Sequence, residues 1–244
     1  MASAKNANDA WIYWGPDTAT LLIQGTIPAN RSSFAVKGAM HHPDACFRAE
    51  LEKRLKGKGI TLDKQKIEDG ERHALLTTVS PFLKDIVYYT NKNSINLFAE
   101  ALGELISLTD YARTVKAELS GMGIDSCGIT LKDASGLSPA NAVPAEVFTD
   151  LLIWAKGHLS DVFVASLPQG NVDWGLRIYS DHPILRGNIL AKTGSMSGVR
   201  ALAGYLKTQR GETLAFTILV NNYVGDPVKV QEIIRDLLKE FADK

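Results

Sequence analysis

The sequence has few cysteines: only Cys46 and Cys127 occur among its 244 residues. Neither lies in a spacing typical of a metal site, which argues against a zinc centre. We expect two small, buried, hydrophobic side chains, and a disulfide is the alternative if the compartment is oxidising. The five histidines form no metal-binding pattern either, and we interpret them as surface or hydrogen-bonded residues: His41, His42, His73, His158 and His182. The sequence therefore predicts no metal site.

Long apolar runs and an excess of one charge are also lacking. The longest apolar stretches, TLAFTILV at 213–220 and VFTDLLIWA at 147–155, are far shorter than the roughly 20 residues that cross a bilayer. Lys plus Arg equals Asp plus Glu at 27 each, which gives no electrostatic reason to expect nucleic acid or an anionic membrane as partner. The polar start MASAKNANDA contains no signal peptide. The sequence is compatible with a cytoplasmic protein and with a secreted protein without its leader.

Apolar residues make up 45% of the chain, enough to bury a substantial core. Short aromatic and β-branched runs in residues 1–40 predict strands. Residues 41–60 predict a helix, because Phe47, Leu51 and Leu55 recur every four residues. The polar residues that follow resemble a linker, so we place a boundary near residue 70, between domains 1–70 and 71–244.

The second part mixes helical and strand patterns. Ser80 and Pro81 predict a helix start, and further helices are expected at 110–119 and 147–157. Residues 188–196, 199–208 and 212–222 predict three consecutive strands, the last two joined by the hairpin QRGE.

A last helix, which Asp226 caps and Pro227 begins, presents one apolar stripe: Val230, Ile233, Ile234, Leu237, Leu238 and Phe241. An antiparallel sheet backed by such a helix gives the fold class α+β.

Two short motifs carry candidate chemistry. Lys192, Thr193 and Gly194 lie on a predicted strand, and the small residues after them would let a peptide pair along that strand. Ser94 and Asn96 form a Ser-x-Asn motif upstream. Each motif has an ordinary structural alternative: a strand-edge lysine near a turn, and a helix N-cap before LFAEALGELI.

In this order, the two motifs are two thirds of the signature of penicillin-recognising serine enzymes, which is Ser-x-x-Lys, Ser-x-Asn, Lys-Thr-Gly. The longer stretches TNKNSINLFAEAL, DASGLSPANAVPAEVFTDLL, SLPQGNVDWGL and NILAKTGSMSGVRALAGYL resemble the C-terminal half of the D-alanyl-D-alanine carboxypeptidase/endopeptidase family, the class C low-molecular-mass penicillin-binding proteins. This resemblance implies a partial β-lactamase/DD-peptidase-like fold for 71–244. It also implies that 1–70 is the β-rich remnant of an inserted domain.

The resemblance implies three catalytic residues. Lys192 would hold the terminal carboxylate of a D-Ala-D-Ala peptide and ease proton transfer through Ser94, because a cation beside a hydroxyl favours developing negative charge. Ser94 would relay a proton between the leaving amine and the catalytic lysine. The backbone N–H of Ser195 would be one of two oxyanion donors.

It also implies substrate-binding residues and a setting. Asn96 would donate its amide to a substrate carbonyl, Thr193 would share the carboxylate, and Gly194 would leave room for the substrate backbone. The implied ligands are peptidoglycan stem peptides and β-lactams, with no cofactor, in the periplasm or another extracytoplasmic compartment.

The nucleophile motif is missing, because no serine has a lysine three residues later. That offset would place both side chains on one helix face. Ser80 and Lys84 are four apart and lie where the resemblance has a scaffold helix. We therefore expect a partial carboxypeptidase chain that is inactive by itself. Uncovered apolar surface would then favour a homo-oligomer or a separate N-terminal half. The alternative is a non-catalytic module that binds peptidoglycan or another protein.

One turn departs from the family pattern. Asp-Gly-Ser-Gly-Leu is usual there, whereas this sequence has Ala134 between Asp133 and Ser135. Because alanine lacks the freedom of glycine at positive φ, the turn is expected to differ. We interpret Asp133 and Ser135 as turn-fixing groups, and the four tryptophans as core or interface residues.

Overall fold

The structure, a computed structural model, describes residues 2–3, 10–13, 20–29, 31–62, 74, 76–159, 161–179 and 181–243. It divides into two compact units, Met1–Leu76 and Thr77–Lys244. Most of the stretch that the sequence analysis interprets as a linker lies outside the described residues.

The described residues of the first unit form four short strands and one helix. β1 (Ala2–Ser3) pairs in parallel with β4 (Ile27–Pro28), and β2 (Trp11–Tyr13) pairs antiparallel with β3 (Leu22–Gln24). Helix α1 (Pro43–Gly57) confirms the prediction from residues 41–60. None of its residues is buried within the described structure, so the apolar repeat of α1 does not mark a core face.

Both cysteines are free and exposed, so the prediction that they are buried is wrong, and they form no disulfide. Cys46 lies on α1, which buries no residue. Cys127 lies in a turn, where its backbone N–H donates to the Asp125 carboxylate at 2.9 Å. Neither position offers the apolar surroundings that the sequence pattern implied.

The described residues of the second unit form six α-helices: α2 (Leu83–Asn93), α3 (Asn96–Ile106), α4 (Tyr111–Gly121), α5 (Ala145–His158), α6 (Asp161–Ser166) and α7 (Pro227–Ala242). Asp110 and Asp226 cap α4 and α7 by accepting from backbone N–H groups. Among the described residues, no helix has both the length and the apolar character that crossing a membrane requires.

The predicted start of α2 is wrong. The helix begins at Leu83, after Phe82 with ψ of 145°, and not at Ser80 or Pro81. A residue that precedes proline is disfavoured in the helical region, and here the extended backbone continues for one residue, Phe82, beyond the proline.

The sheet of this unit has the order β5 (Ile189–Met196), β6 (Val199–Lys207), β7 (Thr213–Asn221), with antiparallel neighbours throughout. These are the three predicted strands. The predicted hairpin closes through the Thr208 N–H, which donates to the Glu212 carbonyl at 2.8 Å. Gly211 there has a φ of 84°, a conformation that glycine adopts without strain.

Helices cover both faces of this sheet. Alternate side chains of a strand point to opposite faces, so β6 packs against helices on both sides. Leu202 and Leu206 pack with Ile234 and Leu238 of α7. Tyr205 packs on the other face with Leu152 of α5, and its hydroxyl donates to the Leu152 carbonyl at 2.7 Å. The predicted α+β class is confirmed.

The apolar stripe of α7 divides into two parts. Val230, Ile234 and Leu238 pack into the sheet core, whereas Ile233, Leu237 and Phe241 are exposed. The sequence analysis treats them as one stripe, and that interpretation is wrong for the exposed three. One sheet of three strands covers only part of an apolar surface this wide.

Ile234 and Ile233 give a matched test, since they are neighbours of one residue type that are 2% and 68% exposed. We expect Ile234→Ala to lower the free energy of unfolding by about 2–5 kcal/mol, because it leaves a cavity. Ile233→Ala should change it by about 0.5 kcal/mol or less, as for other surface substitutions. Urea unfolding of the two variants measures the difference. Equal losses would contradict the packing described for α7.

Candidate active site

The Ser-x-Asn motif lies at the break between α2 and α3. Ser94 ends α2 in the left-handed region, with φ of 52° and ψ of 51°. Asn96 is the first residue of α3, and the N-cap is Ile95, which makes no side-chain cap bond. The N-cap interpretation of Ser94 and Asn96 is therefore wrong. A non-glycine residue held in this region is strained and is often found at functional sites.

Lys192 lies on β5, next to Ala191, which is buried in the core beside α7. The strand alternation turns Lys192 to the opposite face. Its Nζ donates to Ser94 Oγ and, at 2.9 Å, to the Thr193 carbonyl. The fold thus brings together two motifs that are 98 residues apart in the sequence.

Lys192 is partly buried. Burial lowers the pKa of the Lys192 amine below its ordinary value of 10.5. Among the described residues, no carboxylate pairs with it. A lysine so placed is suited to bind an anion and to exchange a proton with the neighbouring hydroxyl.

A second cation, Arg200, lies directly opposite Ser195 in the β5–β6 register. Its Nη1 donates to Ser195 Oγ and, at 3.1 Å, to the Val199 carbonyl. Within the described part of the chain it has no carboxylate partner either. Arg200 was not predicted as a site residue. The pairing of two consecutive predicted strands could have placed it next to the Lys-Thr-Gly strand.

Thr193, Gly194 and Ser195 line the edge of the sheet, since β5 is an outer strand. Thr193 Oγ1 lies close to Gly175, where an added Cβ would be 3.5 Å from it. An added Cβ on Gly194 would lie 3.1 Å from Ala201 Cβ, so a larger residue would crowd β6. Ser195 is exposed, as are Ser94 and Asn96. Thr193, Gly194 and Ser195 therefore form an accessible strand edge, and Ser94 is joined to that strand through Lys192. No hydrogen bond among the described residues joins Asn96 to β5.

The prediction of turn-fixing groups is confirmed for Asp133 and is wrong for Ser135, whose Oγ is buried without a hydrogen-bond partner among the described residues. The Asp133 carboxylate accepts from the Gly136 N–H at 2.8 Å and from the Ser138 N–H at 2.6 Å. The positive φ, 78°, is at Gly136, so alanine at position 134 is tolerated. Opposite Ala134 lies Gly103, where an added Cβ would come within 2.5 Å of the alanine Cβ.

The interpretation of the tryptophans as core or interface residues holds for some of them only. Trp154 packs beside the core formed with α4, whereas Trp174 is 87% exposed. Trp174 borders an open cavity of about 430 Å³. Its lining residues are Asn171, Val172, Asp173, Trp174, Arg177, Asp181 and Arg186. Among the described residues, no group of three or more His, Cys, Asp or Glu side chains could hold a metal ion.

Comparison with known proteins gives consistent matches. The family model of the D-Ala-D-Ala carboxypeptidase 3 (S13) family matches residues 1–244. A D-alanyl-D-alanine carboxypeptidase from an Actinomadura species is 30% identical, over 98% of this chain and 48% of its own length. A D-alanyl-D-alanine carboxypeptidase from Haemophilus influenzae is 29% identical, over 84% of this chain and 46% of its length. The chain spans about half the length of the curated relatives it matches.

Solved structures agree with this. Penicillin binding protein 4 from Haemophilus influenzae, in complex with a β-lactam, has a TM-score of 0.80 and 26% identity, over 97% of this chain and 59% of its own. An extended-spectrum β-lactamase has a TM-score of 0.54 and 17% identity, over 66% of this chain and 63% of its own, which is a likeness of fold alone.

The left-handed backbone of Ser94 gives a testable difference between two substitutions. Ser94→Gly and Ser94→Ala both remove the hydroxyl, but only glycine adopts this conformation without a steric penalty. We expect Ser94→Gly to be more stable than Ser94→Ala by about 1 kcal/mol, measured by urea unfolding. If the alanine variant is the more stable, residue 94 is not held in the left-handed region.

Burial of Lys192 predicts a pH dependence of stability. The folded-state pKa is lowered, so the unfolded chain binds this proton more tightly, and stability rises with pH as the amine approaches 10.5. Wild type should therefore gain stability relative to Lys192→Met as the pH rises toward 10.5. Lys207→Met, at an exposed site on β6, controls for the loss of one lysine. Parallel profiles for wild type and Lys192→Met would contradict the burial effect.

Proposed function

Because this chain belongs to the D-Ala-D-Ala carboxypeptidase 3 (S13) family, we propose that it carries two of the three site motifs of a serine-type D-Ala-D-Ala carboxypeptidase/endopeptidase. The observation that carries the proposal is the hydrogen bond from Lys192 Nζ to Ser94 Oγ. This hydrogen bond joins the Ser-x-Asn motif to the Lys-Thr-Gly motif, and such an enzyme needs these two motifs beside each other. Peptidoglycan stem peptides and β-lactams are the proposed ligands.

The proposed role of Ser94 and Lys192 is proton transfer. The leaving amine needs a proton when the D-Ala-D-Ala bond breaks, and Ser94 Oγ would pass one to it. Lys192 would stabilise the hydroxyl oxygen while the proton moves, because its ammonium lies against that oxygen. The amine of a neighbouring catalytic lysine would resupply the proton.

The proposed role of the sheet edge is substrate binding. A peptide could add to β5 as a further strand, with its carbonyl near the Ser195 N–H and the Asn96 amide. Its terminal carboxylate would lie at Thr193 between the cations Lys192 and Arg200. The absence of a described carboxylate partner for either cation supports this placement.

We further propose that the nucleophile is not among these 244 residues and that the chain does not acylate by itself. The absence of any serine with a lysine three residues later supports this. Residues 1–70 are the proposed remnant of an inserted domain, and residues 71–244 the C-terminal part of the catalytic domain. The proposed location is extracytoplasmic, where the peptidoglycan substrate is.

A second candidate function is non-catalytic binding of a protein or of peptidoglycan. The exposed apolar part of α7 supports it, since Ile233, Leu237 and Phe241 leave a surface that a second chain could cover. A second copy, or a separate chain with the Ser-x-x-Lys motif, would fit this surface.

Penicillin labelling tests the missing nucleophile. We expect the mass of the purified chain to stay unchanged after incubation with penicillin, because no activated serine is present to open the β-lactam ring. Full-length Haemophilus penicillin binding protein 4 is the positive control. A covalent adduct on this chain would show that it contains a nucleophile, and peptide mapping would locate it.

Peptide binding separates the two candidate functions. The carboxypeptidase site should bind an acetylated peptide ending in D-Ala-D-Ala about tenfold or more tightly than its C-terminal amide, a difference of about 1.4 kcal/mol. Lys192→Met should remove this preference. Equal binding of acid and amide, or no binding of either, would favour the non-catalytic protein-interaction module.

A further inference from the structure

We propose that Lys92 and Asp173 form a latch that positions Ser94 against Lys192. The latch is the ion pair of these two residues together with the hydrogen bonds that tie it to residues 166–170. Its importance for catalysis rests on the proposed function, but its geometry does not. Lys92 and Asp173 both lie in stretches that carry the family resemblance, TNKNSINLFAEAL and SLPQGNVDWGL, but the sequence assigns neither of them a role.

The first part of the latch holds the C-terminal end of α2. Lys92 Nζ donates to Asp173 Oδ2 at 3.0 Å and to the Leu167 carbonyl at 2.7 Å. One residue earlier, Asn91 Nδ2 donates to Ser166 Oγ at 2.7 Å, and Ser166 is fully buried. Ser94 follows Lys92 by two residues, so these bonds fix the backbone from which the Ser94 turn departs.

The second part of the latch holds the partner segment on β5. The Ala191 N–H donates to the Pro168 carbonyl at 2.9 Å, and the Gly170 N–H donates to the Ile189 carbonyl at 2.9 Å. Asp173 Oδ2 also accepts from the Gln169 N–H at 2.6 Å, which ties the carboxylate to the same segment. Lys192 is the next residue after Ala191, so these hydrogen bonds hold the 168–170 segment against β5 next to Lys192.

Polar contacts matter here because α2 buries no residue. Apolar packing alone therefore does not determine where the end of this helix lies. The ion pair itself is shielded, since the side chains of Lys92 and Asp173 are only 13% and 23% exposed. A shielded pair is screened little by salt, and removing one partner leaves an uncompensated charge.

Lys92 acts through the backbone and is a positioning residue. Its ammonium is engaged by Asp173 and the Leu167 carbonyl, and no hydrogen bond among the described residues joins it to Ser94 or Lys192. The latch thus links α2, the 166–173 segment and β5. Its loss should let the Ser94 turn move away from β5 while the sheet stays folded.

Asp173→Asn is the decisive variant, and nuclear magnetic resonance of the chain is the measurement. Wild type should give a nuclear Overhauser cross-peak between the Lys192 ε-methylene and the Ser94 β-methylene, assigned with Lys192→Arg. We expect Asp173→Asn to lose this cross-peak and to keep the cross-strand peaks of β5 and β6. A retained Ser94–Lys192 cross-peak in the folded variant would overturn the proposal.

The Lys192 titration gives a second readout. Burial is the cause of the lowered Lys192 pKa in the folded chain, so removing the Asp173 charge without any movement should leave that pKa lowered. Displacement of the Ser94 turn would hydrate Lys192 and raise its pKa. We expect a rise toward 10.5 in Asp173→Asn, and an unchanged or lower Lys192 pKa would contradict the latch.

Three further variants complete the design. Lys92→Arg preserves the charge and should keep the cross-peak. Lys239→Met breaks a comparable ion pair with Asp236 on α7 and should leave both readouts unchanged. If Asp173→Asn does not fold, Asn91→Ala is the replacement variant, because it removes only one neutral hydrogen bond. It should weaken the Ser94–Lys192 cross-peak. An unchanged cross-peak would overturn the latch. None of these readouts needs catalysis, so a failed penicillin or peptide test of the function leaves the latch result distinct.

Discussion

The contact between the Lys192 ammonium and the Ser94 hydroxyl is the interaction on which the rest of the site depends. It requires a strand that turns one lysine away from the core and a helix break that presents one serine. The strand is held by β6 and by the buried Ala191 beside it. The break requires a left-handed serine, whose strain the surrounding structure must offset.

The electrostatics of the site follow from the same contact. Burial makes the charged form of Lys192 costly, and no described carboxylate offsets that cost. Arg200 adds a second cation beside Ser195. Such an arrangement is unfavourable for stability and favourable for binding an anion, which is the usual relation between function and stability at an active site. A peptide carboxylate would supply the missing negative charge.

The apolar stripe of α7 is only partly covered by the sheet. The three-stranded sheet has helices on both faces, yet α7 exposes three large apolar side chains. Those side chains follow the helical spacing that is typical of a core-facing stripe.

The sequence by itself determined the local structure and the identity of the motifs. Hydrophobic period, turn residues and the cap Asp226 were sufficient for α4, α5, α7 and the three strands, because these signals act over a few residues. The N-cap alternative for Ser94 and Asn96 indicated a helix start near that point, but it could not show that Ser94 ends α2 in a left-handed conformation. The exposure of Cys46, the division of the α7 stripe and the pairing of Lys92 with Asp173 were decided by tertiary structure. Each depends on which distant segment packs against a residue, and no local pattern carries that information.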